Sequence, residues 1–372
     1  MTGRPYAAII LAAGLSSRMK QFKPLLSIGC QSITDRLIAT FLRNDVDVFL
    51  VTGNRGDELR QAIQNRNVTF VENKNYAEGM FSSVQSGVRA IGQKHKAFFL
   101  SPVDIPLVRP STMRQLILMS DTHPDRIFYP VFRGKRGHPP LIPVALSPDI
   151  QKWEGEGGLK VFLDSYEAIA TEVSVPDQYI TRDIDTDNDY EVLVRTFPYY
   201  DVPTEEECLT ILDDICKVSP DIRSHSIKVA GVAAVIGKAL NKAGSKIDLA
   251  VVNAGALLHD IAKGQKKHAS VGRQLLLEMG YSRIADIVSV HMYLPEDETQ
   301  ISLEAKIVYL ADKFIEGDRL VTIEQRFAPS LQRFKCDPGI EARIRMRQQQ
   351  ALKVKAELEA LVGYHIESHI FN

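Results

Sequence analysis

The chain has 372 residues, of which 45% are hydrophobic and 24% are charged, and its formal net charge is −1. Its composition is that of a globular protein of about two domains, and it excludes a disordered or fibrous chain. The near-zero charge excludes a protein that binds nucleic acid through a strongly basic surface.

Two further features bear on the cellular compartment. The four cysteines form no C-x-x-C pair and are too few for a disulfide scaffold, which is typical of a reducing compartment. The first apolar run, Tyr6 to Ala13, is too short to cross a bilayer and follows one basic residue, Arg4. We therefore expect a soluble cytoplasmic protein that interacts with neither a membrane nor nucleic acid.

From residue 6 to about residue 195, short apolar segments alternate with segments of helical periodicity. The predicted strands are Tyr6–Leu11, Asp47–Val51, Val68–Val71, Ala97–Leu100, Ile127–Val131, Pro140–Val144 and Ala170–Val175. The predicted helices between the first strands are Thr34–Leu42, Asp57–Gln64, Ser82–Ile91 and Ser111–Met119. This alternation predicts an α/β domain with a mostly parallel, doubly wound sheet.

The character of the sequence changes after Phe197. Two prolines lie within residues 197–204, and the rest of the chain has helical patterns with almost no strand signal. Thr204 and Ser219 are predicted to cap helices. We expect two domains, residues 1–197 and residues 198–372, the second of them all-α, with Arg343–Gln350 on a solvated helix face.

A candidate phosphate-binding loop follows the first predicted strand. Gly14 lets backbone N–H groups approach phosphate oxygens, and Arg18 and Lys23 add positive charge. The spacings G-x-x-x-x-G-K-[ST] and G-x-G-x-x-G are absent from the sequence, so neither a P-loop nor a dinucleotide-binding fingerprint is indicated.

The loop sequence L-A-A-G-x-S-x-R-M followed by K-P resembles the signature of nucleotidyltransferases, and of the molybdenum cofactor cytidylyltransferase family in particular. Further matches to that family span about 190 residues. They are Val51–Gly53, Asn75–Val84, Pro102–Pro106, Arg136–Pro139 and Asp183–Thr186. One departure is Lys20, which stands where the family usually has glycine.

Transfer of a nucleotidyl group requires a divalent cation between carboxylates and phosphate oxygens. Asp104 follows an apolar strand, where open α/β sheets bind ligands, and Asp185 is chosen over Asp183 as the second Mg²⁺ ligand. Lys23, Asp104 and Asp185 are the candidate catalytic residues. The candidate nucleotide-binding residues are Leu11, Ala12, Ala13, Gly14, Arg18, Lys23, Thr52, Gly53, Gly79, Ser82 and Ser83.

The resemblance implies transfer of CMP from CTP to the molybdopterin cofactor, with release of pyrophosphate. It also implies a molybdoenzyme or a chaperone as the protein partner that accepts the cofactor. Ala13 in the Ala-Ala-Gly opening favours CTP over GTP by the same resemblance. His138 is a candidate contact for the second substrate, and its alternative role is to stabilise a turn. The competing substrate class is a sugar 1-phosphate.

Six of the nine histidines lie after residue 197. Four of the six, with two aspartates, resemble the ligand pattern of the HD superfamily of metal-dependent phosphohydrolases. The resemblance implies one metal ion held by His225, His259, Asp260 and Asp312, and a second held with His268 and His291. The donors suit one or two ions of Fe, Mn, Zn, Co or Ni.

The second domain is therefore expected to hydrolyse a phosphoester or phosphoanhydride of a nucleotide-type substrate with metal-activated water. Lys263, one turn after the His-Asp doublet, is a candidate catalytic residue that reaches a phosphate oxygen. His365 and His369 match no motif and are expected at the surface. A regulatory, ligand-binding domain is the alternative interpretation. The helical faces would also allow a homodimer.

Overall fold

The computed structural model describes residues 4–14, 19, 21–65, 67–154, 157–295 and 301–371. The chain divides into two compact units, Met1–Pro198 and Tyr199–Asn372. Each unit has its own hydrophobic core, so each is described separately.

The described residues of the first unit form ten strands. They are β1 Tyr6–Ala12, β2 Ser27–Ile28, β3 Gln31–Ser32, β4 Asp47–Thr52, β5 Thr69–Glu72, β6 Ala97–Pro102, β7 Ile127–Phe132, β8 Lys135–Arg136, β9 Leu141–Pro143 and β10 Ala170–Ser174. Eight of them form one sheet in the order β10-β7-β9-β6-β1-β4-β5, with β8 paired to β7. Strands β6, β1, β4 and β5 pair in parallel, whereas β9 runs antiparallel to both β6 and β7. The prediction of a mostly parallel sheet is confirmed.

Seven α-helices accompany the strands in the part of this unit that the structure describes. They are α1 Ile33–Leu42, α2 Gly56–Ala62, α3 Met80–Ile91, α4 Pro110–Thr122, α5 Ser147–Lys152, α6 Gly158–Asp164 and α7 Asp187–Thr196. Successive strand residues point to opposite faces, and both faces are covered. Helix α3 lies over Ile9, where a Cβ on Gly87 would approach the Ile9 side chain to 2.4 Å. On the other face, Phe41 of α1 packs on Phe99 of β6 with ring centroids 5.5 Å apart.

The second unit is mostly helical, as the sequence predicted. Its helices are α8 Glu205–Thr210, α9 Pro220–Lys242, α10 Leu249–Leu258, α11 His268–Met279, α12 Ser282–Val290, α13 Leu303–Lys313, α14 Ile323–Arg333, α15 Pro338–Val362 and α16 Glu367–Ile370. The predicted N-caps are present, since the side chain of Thr204 accepts from the Glu207 N–H and that of Ser219 from the Ile222 N–H. Helix α10 is apolar over most of its surface and is buried in the core.

The unit departs from the all-α expectation in one place. Strands β11 Ile315–Glu316 and β12 Arg319–Leu320 form a short antiparallel pair directly after α13. A two-residue strand has too few positions to show an alternating pattern, which is why the sequence did not reveal it. Among the helices that the structure describes, none combines the length and the apolar character needed to cross a membrane.

Candidate active sites

A cavity of about 360 Å³ opens beside the carboxyl ends of β1 and β6. Ligands of open α/β sheets bind at this edge, because the loops that follow parallel strands converge there. Eight residues predicted from the sequence line the cavity: Leu11, Ala12, Ala13, Gly14, Lys23, Gly79, Ser83 and Asp104. The cavity therefore brings together parts of the chain as far apart in sequence as Leu11 and Asp104.

Lys23 connects the two predicted carboxylates at the edge of this cavity. Its Nζ lies 3.2 Å from Oδ1 of Asp185 and 3.5 Å from Oδ2 of Asp104. The Ile184 N–H donates to the Asp104 carbonyl at 2.9 Å, and this bond holds the segment that carries Asp185 against the end of β6. Two carboxylates and one cation thus meet at one point, which is an oxygen donor set of the kind that Mg²⁺ prefers.

The environment of Asp104 differs from that of Asp185. Burial raises the pKa of Asp104, the charge of Lys23 opposes that rise, and the negative charge of Asp183 adds to it. Asp185 is more exposed, with 43% of its side chain accessible against 26% for Asp104. Asp183 is therefore near the site, but the ion pairs with Lys23 involve Asp104 and Asp185.

The turn before α3 forms another wall of the cavity. Gly79 has φ +107° and caps α3, whose N–H groups and helix dipole favour an anion there. Asn73 is buried and donates from Nδ2 to the hydroxyls of Ser82 and Ser83, at 2.9 Å each. Asn73 was not among the predicted site residues, although its two hydrogen bonds fix the serines that were.

Thr52, Gly53 and Ser82 were also predicted to contact the nucleotide, and their environments differ from those of the residues that line the cavity. Thr52 is buried in β4, with its hydroxyl 3.5 Å from the Val71 carbonyl. A Cβ on Gly53 would lie 2.7 Å from Tyr76, so Gly53 allows Tyr76 to approach and line the cavity. Ser82 is hydrogen-bonded to the Gly79 carbonyl. Arg18 lies outside the described residues.

His138 lies at the start of the loop that leads into β9. Its backbone N–H donates to the Ile180 carbonyl at 2.8 Å, and burial lowers the pKa of its ring. A hydrogen bond to the Leu100 backbone and the charge of Asp183 oppose that lowering. The half-buried ring is thus neutral near pH 7 and lies within electrostatic reach of the carboxylate cluster.

The second unit contains a cluster of histidines whose Nδ1 atoms face backbone carbonyls. The Nδ1 atoms of His225, His259 and His291 lie 2.8, 2.7 and 2.7 Å from the carbonyl oxygens of Gly317, Ala256 and Val288. Because a carbonyl only accepts, each Nδ1 carries the hydrogen and each neutral ring presents a bare Nε2 lone pair. This arrangement orients histidines for metal binding.

The carboxylate of Asp260 lies between two pairs of histidines. Its Oδ2 is 3.4 Å from Nε2 of His259 and 3.8 Å from Nε2 of His225, while its Oδ1 is 3.3 Å from His268 Nε2 and 3.5 Å from His291 Nε2. Asp312 adds Oδ1 at 3.1 Å from His225 Nε2. All six predicted ligands of this unit converge. Asp260 belongs to two groups of residues whose ligand atoms lie close enough together to hold a metal ion, one with His225 and His259 and the other with His268 and His291.

The donor set fits a metal ion. The Nε2 atom of His259 is buried and has no hydrogen-bond partner within the part of the chain that the structure describes. Burial alone would lower the pKa of His259, but the carboxylates of Asp260 and Asp312 outweigh it and raise the pKa to about 10. Lone pairs that face carboxylate oxygens require a proton or a metal ion between them.

Lys263 lies closer to the ligands than expected. Its Nζ donates to Asp260 Oδ2, and 46% of its side chain remains exposed. It therefore both neutralises the central carboxylate and faces solvent. His365 and His369 are exposed, in agreement with the sequence prediction.

Two family models match the chain. The MobA-like NTP transferase domain matches residues 8–170, and the HD domain matches residues 222–316. The molybdenum cofactor cytidylyltransferase of Escherichia coli (strain K12) is 33% identical over 186 residues, which cover 49% of this chain and 92% of that protein. The bifunctional protein GlmU of Solibacter usitatus (strain Ellin6076) is 29% identical over 151 residues, which cover 36% of this chain and 32% of GlmU.

Among solved structures, a nucleotidyl transferase from Methanothermobacter thermautotroptrophicus is 21% identical, with a TM-score of 0.45, 53% of this chain covered and 99% of that one. The sequence relationships establish the family independently of this likeness. The chain is an enzyme that belongs to the MobA-like NTP transferase family, and its nucleotidyltransferase domain is followed by an HD domain.

Proposed function

We propose that the first unit transfers CMP from CTP to the terminal phosphate of molybdopterin and releases pyrophosphate. The observation that carries this proposal is the meeting of Lys23, Asp104 and Asp185 at the mouth of the cavity between Gly14 and Gly79. The similarity to the cytidylyltransferase of Escherichia coli supports CTP and molybdopterin as substrates.

In this proposal, Asp104 and Asp185 hold Mg²⁺, which offsets charge on the phosphate oxygens when it is bound. The backbone N–H groups around Gly14 and at the start of α3 bind the triphosphate. Once nucleotide is present, Lys23 exchanges part of its ion pairing with the carboxylates for a phosphate oxygen, and it stabilises the charge that develops during transfer. His138, neutral at pH 7, contacts the second substrate.

Pyrophosphate release tests this assignment. The full-length enzyme is incubated with Mg²⁺, one NTP and one acceptor, where the acceptor is molybdopterin or a sugar 1-phosphate. The proposal predicts release with CTP plus molybdopterin and at least a tenfold lower rate with GTP. Release with a sugar 1-phosphate but not with molybdopterin would contradict the acceptor assignment.

We further propose that the second unit is a phosphohydrolase with two divalent transition metal ions. The observation that carries this proposal is that the two carboxylate oxygens of Asp260 face two different pairs of histidines. A carboxylate so placed would supply one oxygen to each of two ions. His225, His259 and Asp312 complete one set of ligands, and His268 and His291 complete the other.

The ions, when bound, supply Lewis acidity and lower the pKa of water. The carbonyls of Gly317, Ala256 and Val288 hold the three rings so that their Nε2 atoms would be available as ligands to the ions. The exposed ammonium of Lys263 binds a phosphate oxygen of the substrate, which requires it to share or leave its bond to Asp260.

Metal analysis followed by a screen of nucleotides and phosphate esters tests this second activity. The proposal predicts two equivalents of metal per chain and release of phosphate or pyrophosphate from at least one substrate. Bound metal with no turnover of any phosphate compound would instead favour a regulatory, ligand-binding domain.

A further inference from the structure

Lys313 is a buried lysine beside the histidine cluster. It is the last residue of α13, follows the ligand Asp312, and has only 7% of its surface accessible. Burying an ammonium group is costly unless opposite charge and hydrogen-bond acceptors surround it. The charged and polar groups that surround the Lys313 ammonium therefore indicate its role.

The ammonium of Lys313 contacts two residues of the metal site. Its Nζ donates to Asp312 Oδ2 at 2.6 Å and lies 3.3 Å from the carbonyl of His291. It also lies 4.6 Å from the centroid of the Tyr309 ring, in cation–π geometry. One charge thus connects a ligand on α13 with a ligand at the end of α12.

The two oxygens of Asp312 consequently have separate partners. Oδ2 is held by Lys313, whereas Oδ1 lies 3.1 Å from His225 Nε2 and 3.7 Å from His259 Nε2. Without the lysine, the carboxylate could rotate about its Cβ–Cγ bond and exchange the two oxygens. With it, a single oxygen faces the ligand group that contains His225 and His259.

We propose that Lys313 is a positioning residue for the metal centre, which fixes Asp312 as a one-oxygen ligand and couples it to His291. This inference rests on the proposed metal site. Outer-shell partners of metal ligands contribute about 10- to 100-fold in metal affinity when they are removed. Loss of Lys313 should therefore weaken metal binding by about that factor.

Lys306 provides a matched control on the same helix. It is equally buried, at 7%, and its Nζ donates to Glu357 at 2.6 Å, so its substitution also breaks the ion pair of a buried lysine, although 37% of the Glu357 side chain is exposed. Neither Lys306 nor Glu357 is a predicted ligand. A purely structural role for Lys313 predicts the same metal affinity for Lys306→Met and Lys313→Met.

The test measures binding of Mn²⁺ to full-length wild type, Lys313→Met and Lys306→Met by equilibrium dialysis and electron paramagnetic resonance. Thermal unfolding of the metal-free proteins is recorded in parallel. We expect Lys313→Met to bind the more tightly held Mn²⁺ about 10- to 100-fold more weakly, and Lys306→Met to bind it as wild type does. Lys313→Gln, which keeps a neutral donor, serves if Lys313→Met does not fold, and it should show a smaller loss.

The outcomes separate this inference from the function on which it rests. The positioning role is wrong if wild type binds Mn²⁺ and both Lys313 variants bind it as tightly as wild type does. It is also wrong if Lys306→Met loses as much Mn²⁺ affinity as Lys313→Met. If wild type itself binds no Mn²⁺, Zn²⁺ or Fe²⁺, the proposed metal centre is wrong.

Discussion

The Nε2 atoms of His268 and His291 lie 3.2 Å apart. Because Nδ1 of His291 already donates to the Val288 carbonyl, the Nε2 of the neutral ring is an acceptor. The Oδ1 atom of Asp260 lies within 3.5 Å of both nitrogens. A hydrogen on Nε2 of His268 or a metal ion among these atoms makes the contacts favourable, and we propose the trio as the second metal position.

Substitution of His268 should remove one ion and leave the other. We expect His268→Ala to lower the metal content from two equivalents per chain to one, because His225, His259 and Asp312 lie on the opposite side of Asp260. Inductively coupled plasma mass spectrometry gives the count. His365→Ala, at a residue with 88% of its side chain exposed, is the control and should keep both ions.

The two aspartates near Asp104 should differ in their effect on CMP transfer. Asp185 is ion-paired with Lys23, whereas the negative charge of Asp183 raises the pKa of Asp104. We expect Asp185→Asn to lower kcat for pyrophosphate release by about 100-fold or more, and Asp183→Asn by less than about tenfold. A larger loss for Asp183→Asn would reverse the assignment of the second ligand.

The metal-free protein should lose stability as the pH rises. The folded state raises the pKa of His259 from its usual value of 6.5 to about 10, so it binds a proton that the unfolded chain releases. The resulting stabilisation is complete below pH 6.5 and is lost as the pH rises through about 10. Calorimetric melting temperatures of the metal-free protein should fall over this range.

His259→Gln isolates the contribution of this one residue, because lysines and tyrosines also titrate at high pH. The difference in melting temperature between wild type and His259→Gln should shrink as the pH rises. Binding of metal to wild type at pH 8 should release about one proton, seen by titration calorimetry in two buffers of different ionisation enthalpy. A pH-independent difference would show that His259 holds no extra proton.

Gly53 should be essential for the shape of the nucleotide cavity. A Cβ at this position would lie 2.7 Å from Tyr76 and 3.0 Å from Ala13, and both residues line the cavity. We expect Gly53→Ala to raise KM for CTP by about tenfold, which corresponds to about 1.4 kcal/mol of binding. Gly231→Ala, where the new Cβ meets nothing within 4 Å, should leave KM unchanged.

The sequence predicted the elements that have strong patterns and the residues that belong to motifs. The strand–helix alternation revealed the parallel part of the sheet, and the resemblance of His225, the His259-Asp260 doublet and Asp312 to the ligand pattern of the HD superfamily implied one cluster. Strands, helices and motif residues of this kind can be predicted from the local sequence, because each depends on residue types at fixed spacings along the chain.

Residues that act through long-range contacts were missed. Asn73 is one polar residue in a loop, and only the folded chain shows that it holds Ser82 and Ser83. Lys313 looks like a solvated helix-terminal lysine until the burial of its ammonium against Asp312 is known. The strand pair after α13, which places the Gly317 carbonyl on His225, is likewise too short to leave a pattern.

The proposed functions give one chain two separate phosphate chemistries, and a crossed assay of two variants distinguishes them. Asp104→Asn and His259→Gln are each assayed for CTP-dependent pyrophosphate release with molybdopterin, and for hydrolysis of the best phosphate substrate of the wild type. We expect Asp104→Asn to lose only the transfer and His259→Gln to lose only the hydrolysis. Loss of both activities in either correctly folded variant, or of neither, would contradict this expectation.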